Sequence, residues 1–356
     1  MKGVTVPYRL ERLGVIMRPD PAAPFEAEGV LNPASGRTKD GTLWLLPRMV
    51  AAGNVSRVGL AEVIVDDGVP VGVRRDSVVF SPDAGWERAH THGGVEDPRI
   101  TWIDDLGLHV MVYIAFGPLG PRPALAVSDD LRSWRRLGPI HFAYAEALDT
   151  DLNLFPNKDV VFFPEPVPGP DGEPAYAMLH RPMWDLGDVL GGSQIYLPAA
   201  VADPRPGIWI SYATVRAVHA DLRALTQVGD HREVALPAYA WEQIKIGAGP
   251  PPVRVPDGWL LLHHGVSGRL AEGWGPQRDA RYAAGAMILD PADPGRVLAR
   301  TPEPLLAPDV AEERHGIVPN VVFPTAIEEI DGQRFVFYGM ADSCIGVARI
   351  FQEGLS

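Results

Sequence analysis

The chain has 356 residues, 46% of them apolar and 22% charged, and carries a net charge of −13. A surface this acidic repels nucleic-acid phosphates and anionic lipid, so neither is expected as a partner. The N-terminal segment is charged where a signal peptide has its apolar core, no run of 18 apolar residues occurs, and Cys344 has no second cysteine to pair with; a cytoplasmic protein without a membrane span is expected.

The 37 glycines and 36 prolines are scattered, as they are in a chain of many turns. Five of those turns share one grammar, an Asp-Gly or Asp-Asp-Leu-Gly step followed by an apolar run, which predicts a strand entered from a tight turn. Asp40-Gly41 precedes Thr42–Arg48, and Asp104–Gly107 precedes Leu108–Ile114. Asp171-Gly172 precedes Glu173–Arg181, Asp257-Gly258 precedes Trp259–His264, and Asp331-Gly332 precedes Gln333–Gly339. Four of the turns follow a strand that lies beside a proline: Asp97–Ile103, Lys158–Pro164, Pro252–Val255 and Pro319–Pro324. A third strand comes after each turn, at Leu60–Val65, Ala124–Ser128, Ile208–Tyr212, Tyr282–Leu289 and Ile345–Ile350.

A unit of three or four strands repeated five times around an axis is a propeller. The expectation is therefore an all-β, five-bladed β-propeller forming a single catalytic domain over residues 1–356, with a short N-terminal extension over about residues 1–30. A β-sandwich is the competing architecture. It would not place Arg48, Arg181, His264 and Asp342 at similar phases after the turn glycines. The longer insertions at 184–205 and 267–281 are expected to wall a cleft or to meet a second subunit.

Within Gly93–Ile100, Glu96 and Asp97 are adjacent carboxylates. Side chains alternate along a strand, so one of the two is expected to face the cavity and the other to pack sideways. An acid among charges in a closing cleft can keep its proton at neutral pH. The competing reading has Asp97 paired with Arg99 or capping a turn. His90 and His92 are read as neutral loop histidines with no third ligand nearby, so no metal is expected. Ser128–Trp134 is read as a structural turn, and neither a nucleophile elbow nor a P-loop occurs.

The stretch Gly94-Val-Glu-Asp-Pro-Arg-Ile100 resembles the signature of glycoside hydrolase family 130, β-mannoside phosphorylases and related β-mannosidases on a five-bladed propeller. Asn157–Pro164, Leu179–Pro182, Lys245–Pro252, His263–Val266, Val318–Pro324 and Tyr338–Asp342 are similar to further family stretches. The resemblance runs from Asn32 to Ile350. It implies that Asp97 is the single catalytic acid, passing its proton through a hydroxyl of the bound mannose. It implies that Asn32, Arg48 and Asp342 hold that mannose, and that Lys158, Arg181, Lys245 and His264 line a phosphate site. Glu96 and Glu242 are taken as further substrate contacts, with Glu242 also a candidate base for water.

Phosphate needs cations to hold it, whereas water needs a carboxylate base. The three cations and the histidine therefore favour phosphorolysis. The expected activity is inverting phosphorolysis of β-mannoside oligosaccharides to α-mannose 1-phosphate, with inorganic phosphate as co-substrate and no cofactor. The alternatives are an inverting β-mannosidase and a propeller that binds sugar or protein without chemistry. A homo-oligomer is compatible with the resemblance. Ordinary structural roles compete at each position: an Arg48–Asp342 ion pair, Lys158 bonded to Asp159 or Glu165, Arg181 on a carboxylate between blades, and His264 as a satisfied core histidine.

Overall fold

The five turn glycines all lie in the left-handed region that glycine enters without penalty, at φ 87° for Gly41, 60° for Gly107, 83° for Gly172, 144° for Gly258 and 73° for Gly332. In the computed structural model, which describes residues 4–88, 93–118, 120–186, 194–270, 277 and 279–352, each one passes the chain into the predicted strand. The chain opens with β1 (Tyr8–Met17). A first antiparallel meander follows, β2 (Gly29–Arg37), β3 (Leu43–Ala51), β4 (Val55–Asp66) and β5 (Val69–Phe80). The second is β6 (Gly93–Ile103), β7 (Leu108–Gly117), β8 (Gly120–Ser128) and β9 (Arg135–Pro139). A short parallel pairing, Val55 with Gly93 and Ser56 with Gly94, joins these two.

The third meander comprises β10 (His141–Phe142), β11 (Asn157–Phe162), β12 (Val167–Pro168), β13 (Pro174–Pro182), β14 (Ile208–Thr214) and β15 (Gln227–Ala235). Its order is β11-β13-β14-β15, with β12 on β13 and β10 on the outer edge of β15. The fourth contains β16 (Lys245–Ala248), β17 (Val253–Val255), β18 (Gly258–Gly268), β19 (Ala280–Leu289) and β20 (Val297–Arg300). The fifth is β21 (Val322–Ile330), β22 (Gln333–Met340) and β23 (Cys344–Gln352), completed by β1 as its fourth strand. The α-helices among the described residues are short, α1 (Val215–Ala220) and α2 (Ala311–Arg314). The protein is all-β, as expected.

Five apolar clusters lie between consecutive meanders. Trp44 and Met111 belong to the one between the first and second, and Phe162 and Trp209 to the next. Trp259 and Ile210 join the third to the fourth, and Leu262 and Val336 the fourth to the fifth. The last cluster, with Leu45 and Phe337, joins the fifth back to the first. The first strands also touch in turn: β2 meets β6 and β21, β6 meets β11, and β11 meets β16. Cys344 is buried with a free thiol, as expected of a core cysteine.

Two elements differ from the sequence reading. Residues expected as an extension instead supply β1, whose Arg12 is held by Glu313 at 2.8 Å. Its charged outward positions suit an edge strand. The strand before the first turn, β2, is hidden in sequence by Gly29, Asn32, Pro33 and Gly36.

The feature that shapes the site is a bulge near the start of the first strands. Register slips between Leu31 and Ala34 in β2, Glu96 and Arg99 in β6, and Lys158 and Val161 in β11. At each slip one residue has positive φ: Asn32 at 43°, Asp97 at 47° and Asp159 at 54°. Asn and Asp tolerate this region better than other side-chain-bearing residues, and a bulge re-aims the side chain there.

Candidate active site

The bulge in β6 overturns the expected alternation of Glu96 and Asp97. Both carboxylates reach the same guanidinium: Arg48 Nη2 donates to Glu96 Oε1 at 2.8 Å, and Arg48 Nη1 to Asp97 Oδ1 at 3.1 Å. The Arg48 Nε donates to Ser56 Oγ at 2.8 Å. From the matching bulge in β2, Asn32 Nδ2 donates to Asp97 Oδ1 at 2.8 Å. Asn32 has room because position 339 is glycine; a β-carbon there would stand 2.1 Å from Asn32 Oδ1. Lys158 Nζ completes the group, 3.8 Å from Glu96 Oε2.

These contacts set two aspartates apart. Burial raises the Asp97 carboxyl, but Arg48, Lys158, Arg99 and the Asn32 amide outweigh it and hold the group well below the ordinary carboxylate range. Asp342, at φ 51° after β22, is pushed up to about 6 by burial, with Asp97 and Glu96 acting in the same direction against Arg48 and Lys158. Asp97 is thus held in its ionised form, while Asp342 is shifted toward neutrality.

A second cluster begins one residue along β11. Arg181, opposite Lys158 in register, donates through Nε to Asp159 Oδ2 at 2.5 Å. Its Nη1 is buried with no hydrogen-bond partner among the described residues. His264 Nε2 lies 3.5 Å from the same Asp159 oxygen, and its ring packs on Phe323 and Tyr282. Burial drives His264 down to about 3, with Arg181, Lys245 and Arg99 acting in the same direction against Asp159, so the imidazole is neutral. Burial works against ionised Asp159, yet Arg181 and Arg99 keep it at about 2. Lys245 Nζ lies 5.7 Å from the centre of the Tyr282 ring. Gly247 makes this arrangement possible, since a β-carbon there would fall 2.1 Å from Asp159 Oδ2 and 2.5 Å from His264 Cε1.

Arg99 ties the two clusters together. It donates through Nη1 to the Asp97 carbonyl at 3.2 Å and through Nε to the Gly249 carbonyl at 2.9 Å, and its charge reaches both Asp97 and Asp159. Sequence reasoning considered Arg99 only as a partner for the Asp97 side chain. It missed Asp159 and Tyr282 as members of the site. The signal for Asp159 was present: like Asn32 and Asp97, it is a polar residue at the start of a first strand.

Of the ten residues singled out, nine fall in these two groups: Asn32, Arg48, Glu96, Asp97, Lys158 and Asp342 in one, and Arg181, Lys245 and His264 in the other. Glu242 is the exception. It is fully buried, with Oε1 bound to His263 at 2.8 Å and to Arg300 at 2.6 Å, and Oε2 accepting from the backbone N–H of Ala238 and Tyr239. Both oxygens are committed, so it is withdrawn as a sugar contact and as a base for water. Its role is to cap a short 3₁₀ turn and orient a core histidine. Lys158 pairs with Glu96 rather than with Asp159 or Glu165. His90 and His92 lie outside the described residues, as do parts of both insertions. The Ser128–Trp134 turn is structural as read, with Ser128 and Asp130 accepting from the backbone of the turn.

The family model described as beta-1,4-mannooligosaccharide phosphorylase matches residues 29–355. The chain is 33% identical over 298 residues to a 1,2-beta-oligomannan phosphorylase of Thermoanaerobacter sp. strain X514, covering 83% of this chain and 78% of that protein. It is 34% identical over 305 residues to a beta-1,2-mannobiose phosphorylase of the same organism, covering 84% and 78%. The solved beta-1,2-mannobiose phosphorylase of Listeria innocua, at 22% identity, has a similar fold, with a TM-score of 0.69 over 97% of this chain and 96% of that one. On the breadth of the family match and the identity of these relatives, the chain belongs to glycoside hydrolase family 130.

Proposed function

We propose that the chain is an inverting β-mannoside phosphorylase built as a five-bladed β-propeller, each meander forming one blade and β1 closing the ring. The cyclic order of the five apolar clusters supports that architecture. Phosphorolysis is supported most by one observation: Lys158 and Arg181 face each other in register beside the Asp97 cluster, and Arg181 keeps a buried donor unspent. A buried N–H without an acceptor is costly, and a phosphate oxygen would satisfy it.

In the reaction, Asn32, Arg48, Glu96 and Asp342 hold the mannose to be transferred. Lys158, Arg181, Lys245 and neutral His264 hold phosphate. A phosphate oxygen forms a bond to the anomeric carbon on the face opposite the leaving group, and the bond to the leaving oxygen breaks. That oxygen takes a proton originating on Asp97, and the products are α-mannose 1-phosphate and the shortened sugar. Phosphate binding also prepares the acid. Its negative charge offsets Lys158 and its neighbours, which lifts Asp97 toward a range where it can carry the proton. Phosphate brings its own charge, so no base is required. Glu242, on which hydrolysis would have leaned, is engaged elsewhere.

Inorganic phosphate is the only co-substrate in this scheme, and the cytoplasm is the compartment proposed for it. Both Thermoanaerobacter relatives carry a β-1,2 linkage in their names, so β-1,2-mannobiose is the substrate to try first. Incubated with it, the protein is expected to release α-mannose 1-phosphate only when phosphate is present. Equal release of free mannose without phosphate would establish a mannosidase instead, and no turnover in either condition would leave a binding protein.

A further inference from the structure

A line of hydrogen bonds crosses the third meander from the site to the rim, one link on each strand. At its inner end, the backbone N–H of Arg181 donates to Asn157 Oδ1 at 3.1 Å. Asn157 Nδ2 meets His180 Nδ1 at 2.9 Å, and His180 Nε2 meets Ser211 Oγ at 2.8 Å. Ser211 Oγ meets His231 Nδ1 at 2.7 Å, and His231 Nε2 meets the Ala143 carbonyl at 2.9 Å. Asn157, His180 and Ser211 are buried, and Phe142 packs against both imidazoles.

The two ends dictate the direction of every bond between them. The Ala143 carbonyl can only accept, so His231 donates from Nε2. Burial lowers both imidazoles below their ordinary value, so each is neutral and carries one N–H. His231 Nδ1 therefore accepts from the Ser211 hydroxyl, whose oxygen accepts from His180 Nε2–H, which leaves His180 Nδ1 to accept from the Asn157 amide. At the other end, the Arg181 N–H independently requires Asn157 to present its oxygen there, which turns its NH₂ toward His180. Both ends agree on one polarity, and every nitrogen and oxygen in the line has a partner.

We propose that His180, Ser211 and His231 are positioning residues for phosphate binding, holding Asn157 so that Lys158 and Arg181 stay in register as a pair of cations. Among the described residues none of the three hydrogen-bonds to a side chain of either cluster, and the line reaches the acid cluster only through Lys158, the chain neighbour of Asn157. The inference rests on the phosphorylase reading for what the cations hold. The general precedent is the outer partner that orients a binding residue through a directed hydrogen bond.

The test is Ser211→Ala, which cuts the line at its centre by deleting one oxygen. KM for phosphate is expected to rise roughly threefold to tenfold, as for one lost net hydrogen bond, while kcat and KM for mannobiose stay at wild-type values. Ser211→Thr, which restores the hydroxyl, should recover phosphate affinity. His231→Ala breaks the same line at the half-buried rim and should shift phosphate KM in the same direction if Ser211→Ala proves too unstable to assay. Calorimetric titration with inorganic phosphate separates two failures. A wild type that binds no phosphate sinks the phosphorylase reading and this inference with it. A wild type that binds, with variants that bind equally well or lose both substrates together, overturns the line alone.

Discussion

Asp97 and Asp342 share a cluster yet are driven in opposite directions. Arg48, Lys158, Arg99 and Asn32 keep Asp97 ionised, while burial beside other carboxylates brings Asp342 up to about 6. These charges favour the proton on Asp342 over Asp97, whereas the family resemblance assigns the acid to Asp97. The proposed resolution is that phosphate cancels the cations that depress Asp97. Under it, Asp97→Asn should lower kcat by about 10²–10⁴-fold, the usual weight of general acid catalysis. Asp342→Asn should act mainly on KM for the mannoside. Steady-state kinetics of the two variants decide the matter, and the opposite pattern would transfer the acid role to Asp342. At this scale the sequence was informative about identity and silent about orientation. Asp97, Arg48 and Lys158 could be named from their motifs. That Glu96 and Asp97 turn to one side could not, because it depends on a backbone dihedral. Glu242 misled for a related reason: its nearness to Lys245 in sequence gave no hint that His263 and Arg300, on other strands, take up its charge.

At the scale of elements, the Asp-Gly turns were legible because their chemistry is local; each turn needs a positive φ that glycine adopts without penalty. The third strands were legible as apolar runs. Strand β2 was not, since glycines and a proline disguise it, and β1 was not, since its partner β23 lies at the far end of the chain. The bulged first strands show how local and distant demands combine: each needs an Asn or Asp at the slip and a small residue where another strand passes close. Gly247 is such a position. In Gly247→Ala the new methyl group would displace Asp159 and with it Arg181. The expected cost is about 1–3 kcal/mol in stability, as for an overpacked core, measured by urea unfolding, together with a raised KM for phosphate. A variant unchanged in both would show that Asp159 does not depend on this close approach.

For the molecule as a whole, the proposed function depends on the ends of several meanders meeting. Asn32 comes from the first, Asp97 from the second, Lys158 and Arg181 from the third, Lys245 and His264 from the fourth, and Asp342 follows β22 in the fifth. The repeat in the sequence predicted that such convergence would occur. It gave no means of knowing that Arg99 would bridge the Asp97 and Asp159 clusters, because that bridge runs to the Gly249 carbonyl in the fourth meander. The most direct measurement is a crystal structure of the protein grown with inorganic phosphate. The account predicts an anion held by Lys158, Arg181 and Lys245, with the buried Arg181 Nη1 donating to it and Asp97 across the mannose site. An anion bound elsewhere, with these three side chains turned away from Asp97, would contradict it.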